Sequence, residues 1–77
     1  MWYIYILLCE DGSFYTGSTN DVEKRLEMHF SGKGAKYTKS HKPVKIIHQE
    51  SFQTKSEALK REAEIKSLSK AKKMELI

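Results

Sequence analysis

Glu62 is the residue of this sequence whose position is most informative chemically. The stretch Thr54 to Lys66 has the period of an amphipathic helix, with an advance of about 100° per residue. On that helix Glu62 falls in the middle of the apolar face, among Ala58, Leu59 and Ile65. A carboxylate directed at a protein core is costly unless a cation meets it. The spacing therefore predicts that Glu62 binds a divalent metal ion or forms an ion pair.

Two kinds of partner for Glu62 stay open. Lys66 lies one turn further along the same helix, and Arg25 is a second cation able to form a structural ion pair with it. If the partner is a metal, a single ion is expected, because no second carboxylate shares this helix face. A zinc site is not expected, since the histidines have no zinc-like spacing and the chain has one cysteine.

Tyr5 and Tyr15 belong to two stretches that have the composition of hairpin strands. A two-residue loop would place the two phenols on opposite faces of the hairpin. A three-residue loop, Glu10-Asp11-Gly12, with its glycine in the left-handed conformation, brings both phenols to one face and pairs Tyr5 with Gly17. We predict the three-residue loop. Taken singly, a strand tyrosine is more often a packing residue than a reactive one.

Arg25 and His29 are four residues apart on a predicted helix, so their side chains lie one above the other. They line one edge of the buried face predicted for Val22, Leu26 and Phe30. An arginine and a histidine at the rim of a core suit a ligand that carries phosphate. A surface arginine and a half-buried histidine without any ligand are the structural alternative.

The distribution of charge suggests a polyanionic partner. The chain carries a net charge of +4 and has a pI near 9.2. Residues 32–49 contain five lysines and two histidines and no acid. Such a segment suits the backbone of a nucleic acid, although a solvated basic loop without a partner would look the same. Its glycines and lysines do not have the spacing of a P-loop.

Length and cysteine content limit the class of protein. The 77 residues allow one domain, residues 1–77, with a thin core. A single cysteine, Cys9, excludes an internal disulfide and favours a reducing, cytoplasmic environment. The apolar run Trp2 to Cys9 is far shorter than the ~20 residues of a membrane span and lacks the basic start of a secretory signal.

The elements that must position these residues follow the order β-β-α-β-α-α. The strand Trp2 to Cys9 is apolar on both alternations, which is typical of a central strand. The other predicted elements are a strand at 13–17, a helix from an Asn20 cap to Gly32, an irregular basic loop at 32–42, a strand at 44–52, a helix that starts with a capping box at Thr54, and a short helix restarting at Ser67 or Ser69. This pattern predicts an α+β fold with a small, three-stranded, mainly antiparallel sheet flanked by helices.

In this arrangement the residues resemble the GIY-YIG nuclease family. Tyr3-Ile4-Tyr5 stands at the first signature, with tyrosine in place of glycine, and Tyr15-Thr16-Gly17 stands at the second, with threonine for isoleucine. Arg25, His29 and Glu62 follow at the intervals of the family. The stretch 32–38, Gly-Lys-Gly-Ala-Lys-Tyr-Thr, is especially similar to the small standalone bacterial members.

The sequence departs from the resemblance at two places. Ser18 stands where the excision-repair endonuclease subunit has a lysine after its second signature. No residue matches the asparagine that follows the glutamate in some members. These departures bear on catalytic strength and target choice more than on the fold.

The resemblance implies a metal-dependent endonuclease that hydrolyses phosphodiester bonds in nucleic acid, with DNA as the expected substrate. Glu62 would hold one Mg²⁺ or Mn²⁺ ion, and Arg25 would clamp a non-bridging oxygen. Tyr5 is favoured as the general base, with Tyr15 orienting water or phosphate. An ordinary phenol has a pKa of ~10, which Arg25 and the metal are expected to lower. His29 would position the water or Tyr5, or contact phosphate.

The resemblance also implies how the chain would hold its substrate. The residues expected to contact nucleic acid are Gly17, Lys33, Lys36, Tyr37 and Lys39. A monomer or a weak homodimer is expected. Two alternatives stay open: a nucleic-acid-binding module without significant turnover, and an interaction domain whose basic loop meets an acidic protein.

Overall fold

The protein folds into three strands and four helices. The computed structural model describes residues 1–77. Its elements are β1 (Trp2–Cys9), β2 (Phe14–Thr19), α1 (Val22–Phe30), α2 (Lys36–Ser40), β3 (Pro43–Phe52), α3 (Lys55–Ser67) and α4 (Lys70–Met74). The strands form one antiparallel sheet in the order β2-β1-β3. The predicted α+β class, element order and central position of the first strand are confirmed. The structure also contains a helix that was not predicted, α2, which lies where an irregular loop was expected.

The β1–β2 hairpin has the predicted register. Tyr5 pairs with Gly17 and Leu7 pairs with Tyr15. The Cys9 N–H donates to the Ser13 carbonyl at 2.9 Å, which closes a three-residue loop. Gly12 in that loop has a φ of 82°, in the left-handed region that favours glycine. The three-residue loop is therefore confirmed, and side chains two apart on each strand place both phenols on one face.

The sheet is covered on both faces, and α3 covers one of them. Ile4 and Ile6 of β1 pack with Ala58 and Ile65 of α3 in a fully buried cluster. Tyr5, Leu7 and Cys9, at alternate positions of β1, are equally buried on the opposite face. The sheet thus separates an aliphatic layer under α3 from a layer that contains a phenol.

Helix α1 begins and faces the sheet differently from the prediction. Its N-cap is Asp21, not Asn20, and the Asp21 carboxylate accepts a hydrogen bond from the Lys24 N–H. Phe30, predicted to be buried, is 54% exposed, whereas the neighbouring His29 is 1% exposed. The helix is turned in this way because hydrogen-bonding partners for both ring nitrogens of His29 lie inside the protein.

Helix α3 starts as predicted but buries a narrower face. Thr54 caps it by accepting a hydrogen bond from the Glu57 N–H, as the capping box indicated. Leu59, predicted to lie on the apolar face, is 46% exposed, so the buried stripe consists of Ala58 and Ile65. Ser69, one of the two predicted starts, caps α4. None of the helices combines the length and the apolar character needed to cross a bilayer.

Candidate active site

Three buried side chains, Tyr5, His29 and Thr38, form a continuous hydrogen-bonded chain. The Tyr5 hydroxyl lies 2.8 Å from His29 Nε2, and His29 Nδ1 lies 2.8 Å from the Thr38 hydroxyl. Thr38 donates its only proton to the Ala35 carbonyl at 3.0 Å, so it must accept from His29 Nδ1–H. The Nε2 atom of His29 then carries a lone pair and accepts from Tyr5. The geometry assigns this tautomer to His29.

The environment of these hydrogen-bonded side chains disfavours a charge on the rings of His29 and Tyr5. Burial lowers the pKa of His29, and the positive charge of Arg25 lowers it further. Burial raises the pKa of Tyr5 to about 12, although the Arg25 guanidinium acts in the opposite direction. Arg25 lowers the pKa of this phenol, as expected, but desolvation outweighs its effect and the net pKa is raised. Tyr5 is a neutral donor to a neutral histidine.

The lowered pKa of His29 predicts a loss of stability in mild acid. The unfolded chain binds a proton at His29 near pH ~6.5, whereas the folded protein binds it only at a lower pH. Between those two values the unfolded state holds more protons, so the free energy of unfolding falls as the pH is lowered, by at most about 1.4 kcal/mol per pH unit. Urea unfolding at several pH values, with an NMR titration of the His29 ring, measures this. A ring that titrates above its ordinary value would contradict the prediction.

Gly17 and Gly34 allow the rings of the site to pack directly against the backbone. A Cβ added at Gly17 would lie 2.5 Å from the Tyr5 hydroxyl oxygen and 3.0 Å from the Tyr15 ring. A Cβ added at Gly34 would lie 2.5 Å from His29 Nδ1. Any side chain at either position must displace a ring of the site. Gly17 and Gly34 are therefore part of the geometry of the site.

Gly17→Ala is expected to lower the free energy of unfolding by about 1–3 kcal/mol, because the added methyl overpacks the Tyr5 ring. It should also shift the Tyr5 ring resonances. Urea unfolding and NMR measure the two effects. Gly32→Ala is the control, because Gly32 has a positive φ but nothing lies within 4 Å of its added Cβ. That variant should lose some stability and leave the Tyr5 ring unmoved; equal ring shifts in both variants would contradict the prediction.

Arg25 presents an unpaired donor beside the two phenols. Its Nε atom is buried and has no hydrogen-bond partner. Tyr5 and then Tyr15 raise the pKa of the Arg25 guanidinium above its ordinary value. A cavity of about 140 Å³ lies against Arg25 and Lys24. A buried donor left unpaired is costly, and an anionic oxygen in this position would satisfy it.

Glu62 is paired with Lys66 at the edge of the buried α3 face. The Lys66 Nζ lies 2.6 Å from a Glu62 carboxylate oxygen, and the Glu62 side chain is 17% exposed. Burial raises the pKa of Glu62, but the hydrogen bonds from Lys66 and Ser18 and the charge of Lys66 outweigh it and leave the pKa below its ordinary value. The prediction that Glu62 lies mid-face is corrected to this edge position. Of the two cations considered, Lys66 is the partner.

Glu62 and Tyr5 flank the same part of β2. Glu62 contacts Ser18, whereas Tyr5 lies over the adjacent Gly17, and the negative charge of Glu62 contributes to the raised pKa of Tyr5. No group of three or more His, Cys, Asp or Glu side chains is placed to hold a metal ion. A single half-buried carboxylate fits a hard divalent ion that keeps most of its waters, and it does not fit zinc.

Helix α2 brings Tyr37 to the site. The Tyr37 ring stacks on Tyr15, with centroids 5.8 Å apart, and on His41, with centroids 4.1 Å apart. Lys33, Lys36 and Lys39 are exposed around it. The structure thus brings Tyr5, Tyr15, Arg25, His29 and Tyr37 together, with Gly17 beneath Tyr5 and Tyr15. Glu62 reaches Ser18, the next residue of β2, and the three lysines are exposed to solvent.

Comparison with known proteins identifies the family. A family model described as the GIY-YIG catalytic domain matches residues 1–75. The chain belongs to the GIY-YIG family. Nucleases of this family generally use a divalent metal ion, and the family implies binding of nucleic acid.

The similar proteins come from bacteria. A UPF0213 protein of Staphylococcus saprophyticus is 60% identical over 75 residues, which are 97% of this chain and 92% of the relative. The solution NMR structure of a UPF0213 protein from Bacillus halodurans is 49% identical, with a TM-score of 0.62, over 99% of this chain and 82% of that one. A solution NMR structure of a protein from E. faecalis is 51% identical, with a TM-score of 0.63, over 96% and 80% of the two chains. The designation UPF0213 names no activity.

Sequence reasoning missed two residues of this GIY-YIG site, Gly34 and Thr38. Both lie in the stretch 32–38 that carried part of the resemblance, but no pattern in the sequence gave either a role. A glycine and a threonine next to lysines are typical of any basic loop. Their connection to His29 depends on the docking of α2, which spacing alone does not predict.

Proposed function

We propose that this protein is a metal-dependent endonuclease that hydrolyses phosphodiester bonds in nucleic acid, with DNA as the expected substrate. The observation that carries the proposal is the buried Tyr5–His29–Thr38 chain, which meets the unpaired donor of Arg25 on one side of β2. Glu62 lies at the edge of the same strand. Phosphodiester hydrolysis requires a path for a proton, a hydrogen-bond donor to the phosphate anion and a ligand for the metal ion.

Glu62 is the proposed ligand of one Mg²⁺ or Mn²⁺ ion. When bound, such an ion supplies Lewis acidity, which stabilises charge on the phosphorus and on the leaving oxygen. Lys66 must first leave the carboxylate. Its side chain is 53% exposed, and the displacement of so exposed a partner costs about 1 kcal/mol or less.

Arg25 is the proposed clamp on a non-bridging phosphate oxygen. Its unpaired Nε and its permanent positive charge suit a bidentate bond to phosphate. The adjoining cavity is lined by a second cation, Lys24, and also by Asp21, whose carboxylate is engaged as the N-cap of α1. The clamp would hold the phosphate at the Arg25 guanidinium, which also interacts with the phenols of Tyr5 and Tyr15.

Tyr5 is the proposed general base, and His29 gives it that capacity. With a pKa of about 12, very little Tyr5 is ionised at neutral pH. The Tyr5 oxygen can nevertheless accept a proton from water while its own proton passes to Nε2 of His29, 2.8 Å away. Thr38 keeps that nitrogen free by occupying Nδ1–H. Tyr15, whose ring lies 5.2 Å from His29, is proposed to orient the water or the phosphate.

Thr38→Val tests the assignment of the proton path. Loss of the hydroxyl leaves the buried His29 Nδ1–H without an acceptor, which should cost about 1–3 kcal/mol of stability. It should also slow nicking roughly tenfold or more, because the tautomer of His29 is no longer fixed. Nitrogen-15 NMR of the ring, urea unfolding and a nicking assay measure these effects.

Thr16→Val is the matched control for Thr38→Val. Both threonines are 3% exposed, but Thr16 Oγ1 has no hydrogen-bond partner. Its replacement therefore removes no bond and should leave the stability and the nicking rate near those of the wild type. If the two variants lose the same amount of activity, the hydrogen bond from His29 has no special role.

The main test of the enzyme proposal is a cleavage assay with Mn²⁺ on branched, nicked and single-stranded DNA. Nicking that disappears on chelation of the metal supports the proposal. A nucleic-acid-binding module without turnover is the second candidate, favoured by the high pKa of Tyr5 and by the Lys66 ion pair on Glu62. That candidate would bind DNA with the same strong salt dependence and leave it uncut.

The setting of the activity is also part of the proposal. Cys9 is free and buried, which suits the reducing environment of the cytoplasm. A monomer or a weak homodimer is proposed in solution, and sedimentation analysis over a range of concentrations tests it. An interaction domain for an acidic protein is favoured if no DNA or RNA binds at low salt.

A further inference from the structure

A row of aromatic rings leads from the site towards solvent. Tyr15 stands next to Tyr5, with centroids 6.3 Å apart, and Tyr37 stacks on Tyr15 at 5.8 Å with an interplanar angle of 28°. His41 then stacks on Tyr37 at 4.1 Å, with the planes only 7° apart. Tyr15, Tyr37 and His41 are called the aromatic row below.

The outer ring of the aromatic row is held in place and accessible. His41 Nδ1–H donates to the Tyr37 carbonyl at 3.1 Å, and its Nε2 lies 3.6 Å from the Asp11 carboxylate. The His41 side chain is nevertheless 36% exposed. A ring with a fixed plane and an accessible surface loses little conformational entropy when another flat group stacks on it.

The surroundings of the aromatic row select a negatively charged polymer. Lys33, Lys36, Lys39 and Lys42 are exposed on α2 and its flanks. No acid occurs between residues 32 and 49, and the acids that lie beside His41 in space are Glu10 and Asp11 of the hairpin loop. Aromatic rings beside a basic surface are the two elements with which proteins hold single-stranded nucleic acid, where bases stack on rings and lysines follow the backbone.

We propose that the aromatic row is a stacking surface for unpaired nucleobases, so that the nuclease acts on a strand whose nucleotides next to the cut are single-stranded. The proposal rests on the proposed function and specifies its substrate class. In a duplex each base is covered on both faces by its neighbours, so a duplex would contact the lysines and gain nothing from the rings. DNA and RNA both carry the required bases.

The test measures binding in the presence of EDTA, so that cleavage does not interfere. A labelled short oligonucleotide is titrated at low salt as single-stranded DNA, as single-stranded RNA and as the DNA duplex. Wild type should bind the single strands more tightly than the duplex. The comparison of the DNA and RNA arms identifies which sugar is preferred.

Two substitutions of His41 separate ring stacking from hydrogen bonding. His41→Leu removes the ring and should weaken single-strand binding about 5- to 100-fold, as loss of one stacked base does, with duplex binding unchanged. His41→Phe keeps the ring without its nitrogens and should restore most of the affinity. Because the side chain lies at the surface end of the row, both variants are expected to fold, which thermal unfolding checks.

The outcomes separate this inference from the proposed function. Equal binding of single strand and duplex, or wild-type affinity in His41→Leu, overturns the stacking surface and leaves the nuclease proposal standing. Equal losses in His41→Leu and His41→Phe also overturn it, because they assign the effect to the nitrogens. Failure of the wild type to bind any of the three polymers overturns the proposed function as well. Lys39→Ala, a change at an exposed lysine of α2 close to His41, should weaken single-strand and duplex binding alike.

Discussion

Glu62→Gln is expected to reduce Mn²⁺-dependent nicking by ~100-fold or more, which is the scale of losing one preorganised electrostatic group at a reaction centre. The amide keeps the shape of the side chain but loses the charge that attracts a divalent ion. The same substitution should abolish the perturbation of backbone amide resonances around Ser18 and Glu62 when Mn²⁺ is added. The cleavage assay and the NMR titration therefore test the metal ligand by two independent readouts.

The Glu62→Gln variant is expected to stay folded, and urea unfolding of the variant checks this. The ion pair that it breaks joins side chains that are 17% and 53% exposed, and such pairs contribute about 1 kcal/mol or less. Glu64→Gln is the matched control, because Glu64 lies on the same helix, is 65% exposed and pairs with Arg61. That variant should cut DNA as the wild type does. Equal residual cutting by Glu62→Gln and the wild type would end the enzyme proposal.

Tyr5→Phe is expected to slow nicking by about 10²–10⁴-fold, since it removes the group proposed to take the proton from water. It also leaves the buried Nε2 lone pair of His29 without a donor, so the free energy of unfolding should fall by about 1–3 kcal/mol. Single-turnover nicking and urea unfolding measure the two effects separately. A variant that is folded at the assay temperature but inactive supports a chemical role for the hydroxyl.

Tyr3→Phe and Tyr15→Phe complete this experiment. Tyr3 lies on the same face of β1 as Tyr5, two residues away, and its hydroxyl makes no side-chain hydrogen bond to another residue. Tyr3→Phe should therefore leave both measurements near the wild-type values. If Tyr15→Phe rather than Tyr5→Phe carries the large loss of activity, the assignment of the base passes to Tyr15, and the His29 chain becomes a structural feature.

The hairpin half of the site could be predicted because its geometry is local. The Asp-Gly turn and the alternation of side chains on a strand fix which residues face each other, so the pairing of Tyr5 with Gly17 followed from the sequence. The start of α3 at Thr54 was predictable for the same reason, since a capping box involves only neighbouring residues. The roles of Glu62, Arg25 and Tyr5 stay predictions until they are measured.

The rest of the site depends on contacts between elements, which periodicity does not describe. The hydrophobic pattern assigned Phe30 to the interior of α1, but two hydrogen bonds turn His29 inward and leave Phe30 exposed. Asn20 is a residue type that commonly caps helices, yet Asp21 occupies the N-cap position. The raised pKa of Tyr5 likewise comes from burial by distant segments, which a rule based on the charge of Arg25 alone does not include.

The brevity of α2 has a consequence for how the protein is assembled. A helix of five residues does not persist by itself in water, so α2 owes its order to the Thr38–His29 bond and to the stack of Tyr37 on Tyr15. Docking of this segment and completion of the hydrogen-bonded chain are therefore one cooperative event. Amide hydrogen exchange in residues 36–41 should therefore slow in step with that of His29. The protection of this short segment then reports the fraction of molecules in which the Tyr5–His29–Thr38 hydrogen bonds are complete.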